Sequence, residues 1–310
     1  MRALVFVCTP MNLCVQPPVA DTTDCPCVNF DSMEENQRKT HQDGFPDLQA
    51  DGHGRLFPSP VFGPVHSRRL GVSLGVNLLP ADGKVCSFDC IYCECGYNAE
   101  RRPHQRFPSR EDVREALRTK LDSMRQEGVV PDVLTFAGNG EPTLHPEFLG
   151  VIEDTCRLRD EFCPQARITV LSNAAELMKD DVFRALQLVD NNCLKLDTVS
   201  QDYIRRVDRP VSARYDVTKV IERMKQFRGH CTIQTLFLRG RHEGCDVGNT
   251  GDDYVGPWLE VLREIGPQEV QVYTIDRQTP SPLLEKATPQ ELDRIAEQVR
   301  ALGIACQVSY

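Results

Sequence analysis

Long apolar runs are missing from this 310-residue chain. None approaches the roughly 18–20 consecutive apolar residues of a membrane-spanning helix, so a protein of that kind is excluded. An excess of basic charge is missing too, with 36 Lys+Arg against 45 Asp+Glu and a formal charge of −9. That balance makes a general duplex-DNA binder a poor reading. A secretory leader core is not found at the start. Ala3 to Val7 is apolar, but Pro10 and Asn12 interrupt it before the about 7–15 residues such a core needs. The expectation is a cytoplasmic protein. Cysteine, by contrast, is plentiful, at 14 residues. In a cytoplasmic setting clustered cysteines point to metal or catalysis before disulfides.

Residues 1–57 are rich in Asp, Pro, Gln and Asn and carry no helical or strand pattern beyond Ala3–Val7. They are expected to form a low-structure extension, with Cys25-Pro-Cys27 lacking a second pair at zinc-site spacing. The region 58–310 is expected to be one domain. Within it, strand-like Gly71–Leu79, Asp132–Ala137, Arg167–Ser172, Asn192–Asp197, Cys231–Leu238 and Glu269–Ile275 alternate with helical patterns. Ser109-Arg-Glu-Asp112 and Thr288-Pro-Gln-Glu291 read as capping boxes, and Pro146 as the first residue of a helix. Further helices are expected near Asp180–Leu188 and Tyr215–Phe227, with a last strand at Ile304–Ser309. Six βα units in order argue for an α/β fold with a parallel sheet, either doubly wound or a full or partial barrel. In each case the site belongs at the carboxyl ends of the strands.

The loop after the first strand holds Cys86-Ser-Phe-Asp-Cys90-Ile-Tyr-Cys93. Three thiolates are one short of a closed iron–sulfur or zinc site, which leaves one metal corner open to a small molecule. Cys95 sits one residue beyond Cys93, an awkward spacing for a fourth ligand to the same cubane. Lys84, Asp89, Glu94 and Gly96 make the segment a polar loop rather than buried core.

This pattern, with Tyr92 just before the third cysteine, resembles the radical S-adenosylmethionine (SAM) superfamily. The resemblance implies a partial (β/α)6 barrel, a 4Fe–4S cluster on Cys86, Cys90 and Cys93, and SAM on the open iron. It further implies reductive cleavage of SAM to a 5′-deoxyadenosyl radical, with an oxidoreductase-like role. Gly138-Asn139-Gly140-Glu141, at the end of the second strand, resembles the superfamily's glycine-glycine-glutamate motif. Glycines permit close backbone approach and Glu141 can pair with the SAM ammonium, although the same residues also make a good surface turn. Ser172-Asn173-Ala174 resembles the Thr-Asn-Gly segment placed near SAM; a helix N-cap is the rival reading. Phe62–Pro80, Lys195-Leu-Asp197 and Asp208-Arg-Pro210 give a closer resemblance to Fe–S oxidoreductases related to the wybutosine-synthesis, tRNA-modifying branch.

Strand alternation puts Lys195 and Asp197 on one face, where they line the barrel lumen or pair internally. Asp197 is taken as a cofactor contact. Lys195, Gln234, Tyr273, Arg68 and Arg69 are substrate-pocket candidates. Arg101, Arg102, His104, Arg106 and Arg110 form a basic stretch, read as a solvated loop or an anion contact. The expected partners are a low-potential electron donor of the flavodoxin or ferredoxin type and a substrate left open, small molecule or RNA. A cluster-bearing electron-transfer protein without SAM chemistry and a zinc-binding interaction module are the readings from other classes.

Overall fold

The computed structural model describes residues 56–67 and 71–310. The expected low-structure extension therefore lies outside the described residues except at its last two positions, and so do Arg68 and Arg69. The chain enters through β1 (Val61–Ser67), which pairs antiparallel with β2 (Gly71–Val76). Strands and helices then alternate: α1 (Arg110–Gln126), β3 (Val133–Phe136), α2 (Phe148–Phe162), β4 (Arg167–Ser172), α3 (Asp180–Leu188) and β5 (Asn191–Lys195). After α4 (Gln201–Val207) and α5 (Val217–Lys225) come β6 (Thr232–Leu236), β7 (Leu238–His242) and β8 (Cys245–Asp246). The chain closes with α6 (Asp252–Ile265), β9 (Glu269–Tyr273), β10 (Leu284–Lys286), α7 (Pro289–Ala301) and β11 (Ala305–Ser309).

The main sheet has the order β1-β2-β3-β4-β5-β6-β9-β11, and every pairing from β2 onward is parallel. This order never reverses, whereas a doubly wound sheet turns back at a switch point. The strands wind in one direction, and among the described residues no pairing joins β11 to β1. The fold is a partial barrel. Strands β10, β7 and β8 make a separate three-stranded sheet.

Local chemistry explains the elements. Ser109 and Thr288 form capping boxes with Asp112 and Glu291, and Val113, Leu117, Leu121 and Met124 give α1 a buried stripe. Helix α2 begins at Phe148 with Glu147 at its N-cap, so Pro146 stands before the helix rather than opening it. Asp216 caps α5 by accepting from the amides of Thr218 and Lys219, which starts that helix later than expected.

The two sheet faces differ in chemistry. Leu74, Val76, Leu134, Phe136, Ile168, Val170, Ile233, Val270 and Val272 are buried in the main core beneath the helices. Burial of each such side chain is worth about 1.5–3 kcal/mol before the entropy of ordering it is set against it. The other face is polar. Ser73 meets Thr135 at 3.0 Å, Asn191 donates to Thr169 at 3.0 Å, and Gln234 donates to Gln271 at 2.7 Å. Pairing register sets Lys195, Gln234 and Gln271 in one row on this face. An inner wall of amides and hydroxyls suits a polar occupant, not a closed apolar core.

Candidate active site

The three cysteines lie in the long loop between β2 and α1, and two segments hold that loop, one at the end of β3 and one at the end of α4. On one side Val85 pairs with Gly140, with Val85 N donating to Asn139 O at 2.9 Å and Glu141 N to Val85 O at 3.0 Å. Gly140 has φ +131°, and a Cβ there would stand 1.9 Å from the Val85 carbonyl oxygen. Only glycine allows this approach. On the other side, residues 207–211 run antiparallel to the loop. Ile91 N donates to Val207 O at 2.9 Å, Asp89 N to Asp208 O at 3.1 Å, and Val211 N to Ser87 O at 2.9 Å.

Lys84 is the cation at the centre of this loop. Its side chain is fully covered, donates to Gly96 O at 2.7 Å and lies 3.7 Å from Asp89 Oδ1. Burial opposes its charge, but the thiols of Cys93, Cys86 and Cys90 around it raise its pKa. Burial pushes the Cys86 thiol up to about 12 and that of Cys90 well above the usual range. Cys93 behaves differently: a hydrogen bond from Cys95, aided by Lys84, outweighs burial and pulls it down to about 6. Cys95 also reaches the Gly138 carbonyl oxygen at 3.7 Å. Among the described residues no three His, Cys, Asp or Glu side chains converge on one metal position, the arrangement a mononuclear zinc site would need. A cubane takes one thiolate per iron and has no such requirement.

Glu141 ties two predicted motifs together. Its buried carboxylate accepts from Thr143 N at 3.2 Å, Thr143 Oγ1 at 2.5 Å, Ser172 Oγ at 2.8 Å and Asn173 N at 2.7 Å. Burial raises its pKa against the pull of these donors. Asn173 in turn donates to Ser87 Oγ at 3.0 Å and to Cys86 Sγ at 3.5 Å. Helix α3 starts only at Asp180, so Ser172 and Asn173 do not cap it and the N-cap reading fails. Ala174, standing where glycine is usual, adopts φ +65°.

Lys195 and Asp197 do share a face, and they meet in a buried network. Lys195 Nζ contacts Asp197 Oδ2 and Tyr92 Oη closely and lies 2.9 Å from Asp208 Oδ1. Tyr92 Oη is within reach of both carboxylates, at 3.0 Å for Asp208, and its one proton can go to either. Asp197 Oδ1 accepts from Leu236 N at 2.9 Å. Burial disfavours the lysine charge, yet Asp197 and Asp208 hold its pKa well above the usual range. Burial lifts Asp208 to about 6 despite Lys195. Tyr273 lies beside the same groups, its hydroxyl pushed up by burial.

The other expected residues divide. Asn139 turns its side chain away from the cysteines: it accepts from Phe57 N at 2.7 Å and donates to Phe57 O at 2.9 Å and Pro80 O at 2.8 Å. It anchors the chain's entry, and only its backbone remains beside the loop. The carboxylate of Asp197 is engaged by Lys195, Tyr92 and the Leu236 amide. Arg110 leaves the basic stretch, paired with Asp154 at 2.6 and 2.9 Å. Two residues were overlooked as site members. Lys84 reads as a solvated loop residue in sequence, and nothing local signals its burial. Asp208 was visible only within Asp208-Arg-Pro210; its position one residue past an arginine-bearing helix end was the available signal.

Comparison with known proteins fits this geometry. The sequence model of the radical SAM superfamily matches residues 82–246. The chain belongs to the radical SAM superfamily. It is therefore an enzyme of a class that works with a 4Fe–4S cluster and SAM. It is 32% identical over 221 residues to a UPF0026 protein of Helicobacter pylori strain J99, an alignment covering 70% of this chain and 66% of that protein. In fold it is similar to a radical SAM methyltransferase from Sphaerobacter thermophilus, with a TM-score of 0.55, 16% identity and coverage of 77% of this chain and 66% of that one. It is also similar to TYW1 solved with a lysine–pyruvate adduct bound, with a TM-score of 0.51, 15% identity and coverage of 74% and 73%. Among the described residues no helix is long and apolar enough to cross a membrane.

Proposed function

We propose that this protein cleaves SAM reductively and uses the resulting radical to abstract hydrogen from a polar substrate in the barrel lumen. The observation that carries this is the meeting of Cys86, Glu141, Ser172 and Asn173, three separate motifs joined at one point by hydrogen bonds. The residues present fit the cluster: three thiols on one loop around a buried lysine, with no mononuclear metal geometry among the described residues. Cys86, Cys90 and Cys93 would hold it. Once bound, the 4Fe–4S cluster supplies the electron that splits SAM into methionine and a 5′-deoxyadenosyl radical.

The chain's own groups do the positioning. Thiolates rather than thiols bind metal, so Cys86 and Cys90 must lose protons that burial makes them hold. Lys84 offsets the negative charge that gathers there. Glu141, held in place by its donors, would offer its carboxylate to the SAM ammonium. The backbone of Gly138 to Gly140 lies against the loop, with no Cβ at either glycine. Tyr92 and the Lys195 network fix the loop between Cys90 and Cys93. Lys195 is a poor candidate for a covalent adduct of the kind solved in TYW1. An imine-forming lysine needs a lowered pKa, and two carboxylates here raise it.

The lumen row of Lys195, Gln234 and Gln271 supports a hydrogen-bonding substrate. Anaerobic reconstitution tests the reading. A broad absorption near the visible range and an EPR signal on reduction that changes shape when SAM is added are expected. A reduced cluster whose spectrum ignores SAM would favour an electron-transfer protein instead.

A further inference from the structure

The reaction proposed above gives Arg209 no part, although Arg209 stands between Asp208 and Pro210 against the cysteine loop. Its backbone is unusual. Arg209 follows Asp208, the C-cap of α4, and adopts φ +53°. Glycine or asparagine fills this left-handed position after a helix at least cost. An arginine here works against the preference of its own backbone, so its side chain is the place to look for a reason.

The carbonyl and side chain of Arg209 both turn to the cysteine loop. Its carbonyl accepts from Asp89 N at 3.0 Å. Its guanidinium lies 3.7 Å from Asp89 Oδ2 and 5.1 Å from the centre of the Tyr97 ring. Asp89 sits between Cys86 and Cys90, whereas Tyr97 comes after Cys93 and Cys95. The loop returns on itself at the same place. Asn98 N donates to Asp89 Oδ1 at 2.7 Å, and Asn98 Nδ2 to Phe88 O at 3.1 Å and Cys86 O at 3.3 Å. Arg209 therefore bridges the outgoing and returning arms of the loop that carries the three thiols. Fully covered Lys84 approaches Asp89 Oδ1 from inside at 3.7 Å, and half-exposed Arg209 approaches Oδ2 from the solvent side.

Resting on the cluster ligands proposed above, we propose that Arg209 is a positioning residue that holds the loop shut around the cluster by bridging Asp89 and Tyr97. The shell around a metal site controls how solvent reaches it, and here that shell is one short loop folded back on itself. Glycine would suit the backbone of residue 209 better, but it would leave the two arms joined by Asn98 without the guanidinium between them. A role in capturing a free anion suits Arg209 less well, because its charge already faces Asp89 and one face of its guanidinium lies on Tyr97.

The test measures anaerobic iron release from the loaded full chain to excess bathophenanthroline disulfonate, with thermal melts of the same proteins before loading. Arg209→Gly should release iron about two- to fivefold faster than wild type, the change expected on losing an exposed guanidinium–aromatic contact. Before loading, the same variant should melt at or above the wild-type temperature, because glycine relieves the left-handed backbone. Tyr97→Leu should speed release to a similar degree, and Tyr97→Phe, which keeps the ring, should match wild type. The double variant R209G/Y97L should be no faster than the faster single variant, since both remove one contact. Unchanged release from R209G would overturn the proposal. So would faster release accompanied by a lower melting temperature, which would mean general loosening, and so would fully additive effects in the double variant. The two readings fail separately: a loaded, reduced wild type that never releases 5′-deoxyadenosine strikes the reaction, whereas equal iron release by wild type and R209G strikes only the role of Arg209.

Discussion

The Tyr92 hydroxyl meets Asp208 at 3.0 Å, across 116 residues of sequence, and both groups touch Lys195. This contact fastens the residue before Cys93 to the segment that runs antiparallel to the cysteine loop. Lys195 and Tyr92 keep Asp197 when Asp208 is removed, so the loss is that of a buried hydrogen-bond acceptor, about 1–3 kcal/mol. Asp208→Ala should therefore lower thermal stability by that order and shed iron on gel filtration, while Asp208→Asn should do so more mildly. Calorimetry and iron assay check this. Wild-type iron retention in Asp208→Ala would show the contact to be incidental.

Lys84 gives a prediction about potential. Its ammonium is the buried positive charge among the three thiols. Lys84→Met preserves much of the length and apolar stem but removes that charge, so a reduced cluster gains a less favourable environment. Redox titration should find a more negative midpoint than in wild type. An unchanged midpoint with full iron content would contradict the electrostatic role.

Glu141 separates binding from folding. Glu141→Gln keeps one acceptor oxygen, enough for Ser172 and Thr143 on Oε1 but not also for Asn173 N on Oε2, and drops the charge proposed to meet the SAM ammonium. Its SAM affinity should fall by about 1.5–3 kcal/mol with iron retained. Glu141→Ala should lower thermal stability as well, because the donors of Thr143, Ser172 and Asn173 lose their acceptor. Equilibrium binding and thermal melts read the two effects apart.

The Arg110–Asp154 pair sets a pH dependence remote from the cysteines. Hydrogen bonds from Arg110, opposed by burial, hold the Asp154 carboxyl below its ordinary value. A depressed carboxyl stabilises the fold above its unfolded pKa of about 3.9, and that contribution disappears as pH falls through the folded value. Asp154→Asn should thus be less stable than wild type at neutral pH, with the gap closing below about pH 4. Paired denaturant melts across pH measure it; a constant gap would refute the assignment.

Much of this was legible in the sequence because it is periodic or local. The helix caps at Ser109 and Thr288 depend on residues three apart, and the buried strands β3 and β4 read as apolar runs between turns. The cysteine spacing and the strand-end glycines identified the site for the same reason. Strand β1 escaped because Pro64 argues against a strand, and an edge position tolerates it. Helix α4 is seven residues long, too short for a periodic signature. The burial of Lys84 and the meeting of Asp208 with Tyr92 depend on chain crossings that no local pattern encodes. Asn139 misled because its backbone lies at the site while its amide anchors Phe57 and Pro80.

The most direct measurement is the product of SAM itself. Reconstituted, reduced protein incubated anaerobically with SAM should release 5′-deoxyadenosine and methionine even without substrate, and variants lacking Cys86, Cys90 or Cys93 should release none. Cys95→Ala should still release both. A fully loaded, reduced protein that binds SAM yet yields no 5′-deoxyadenosine would contradict the account.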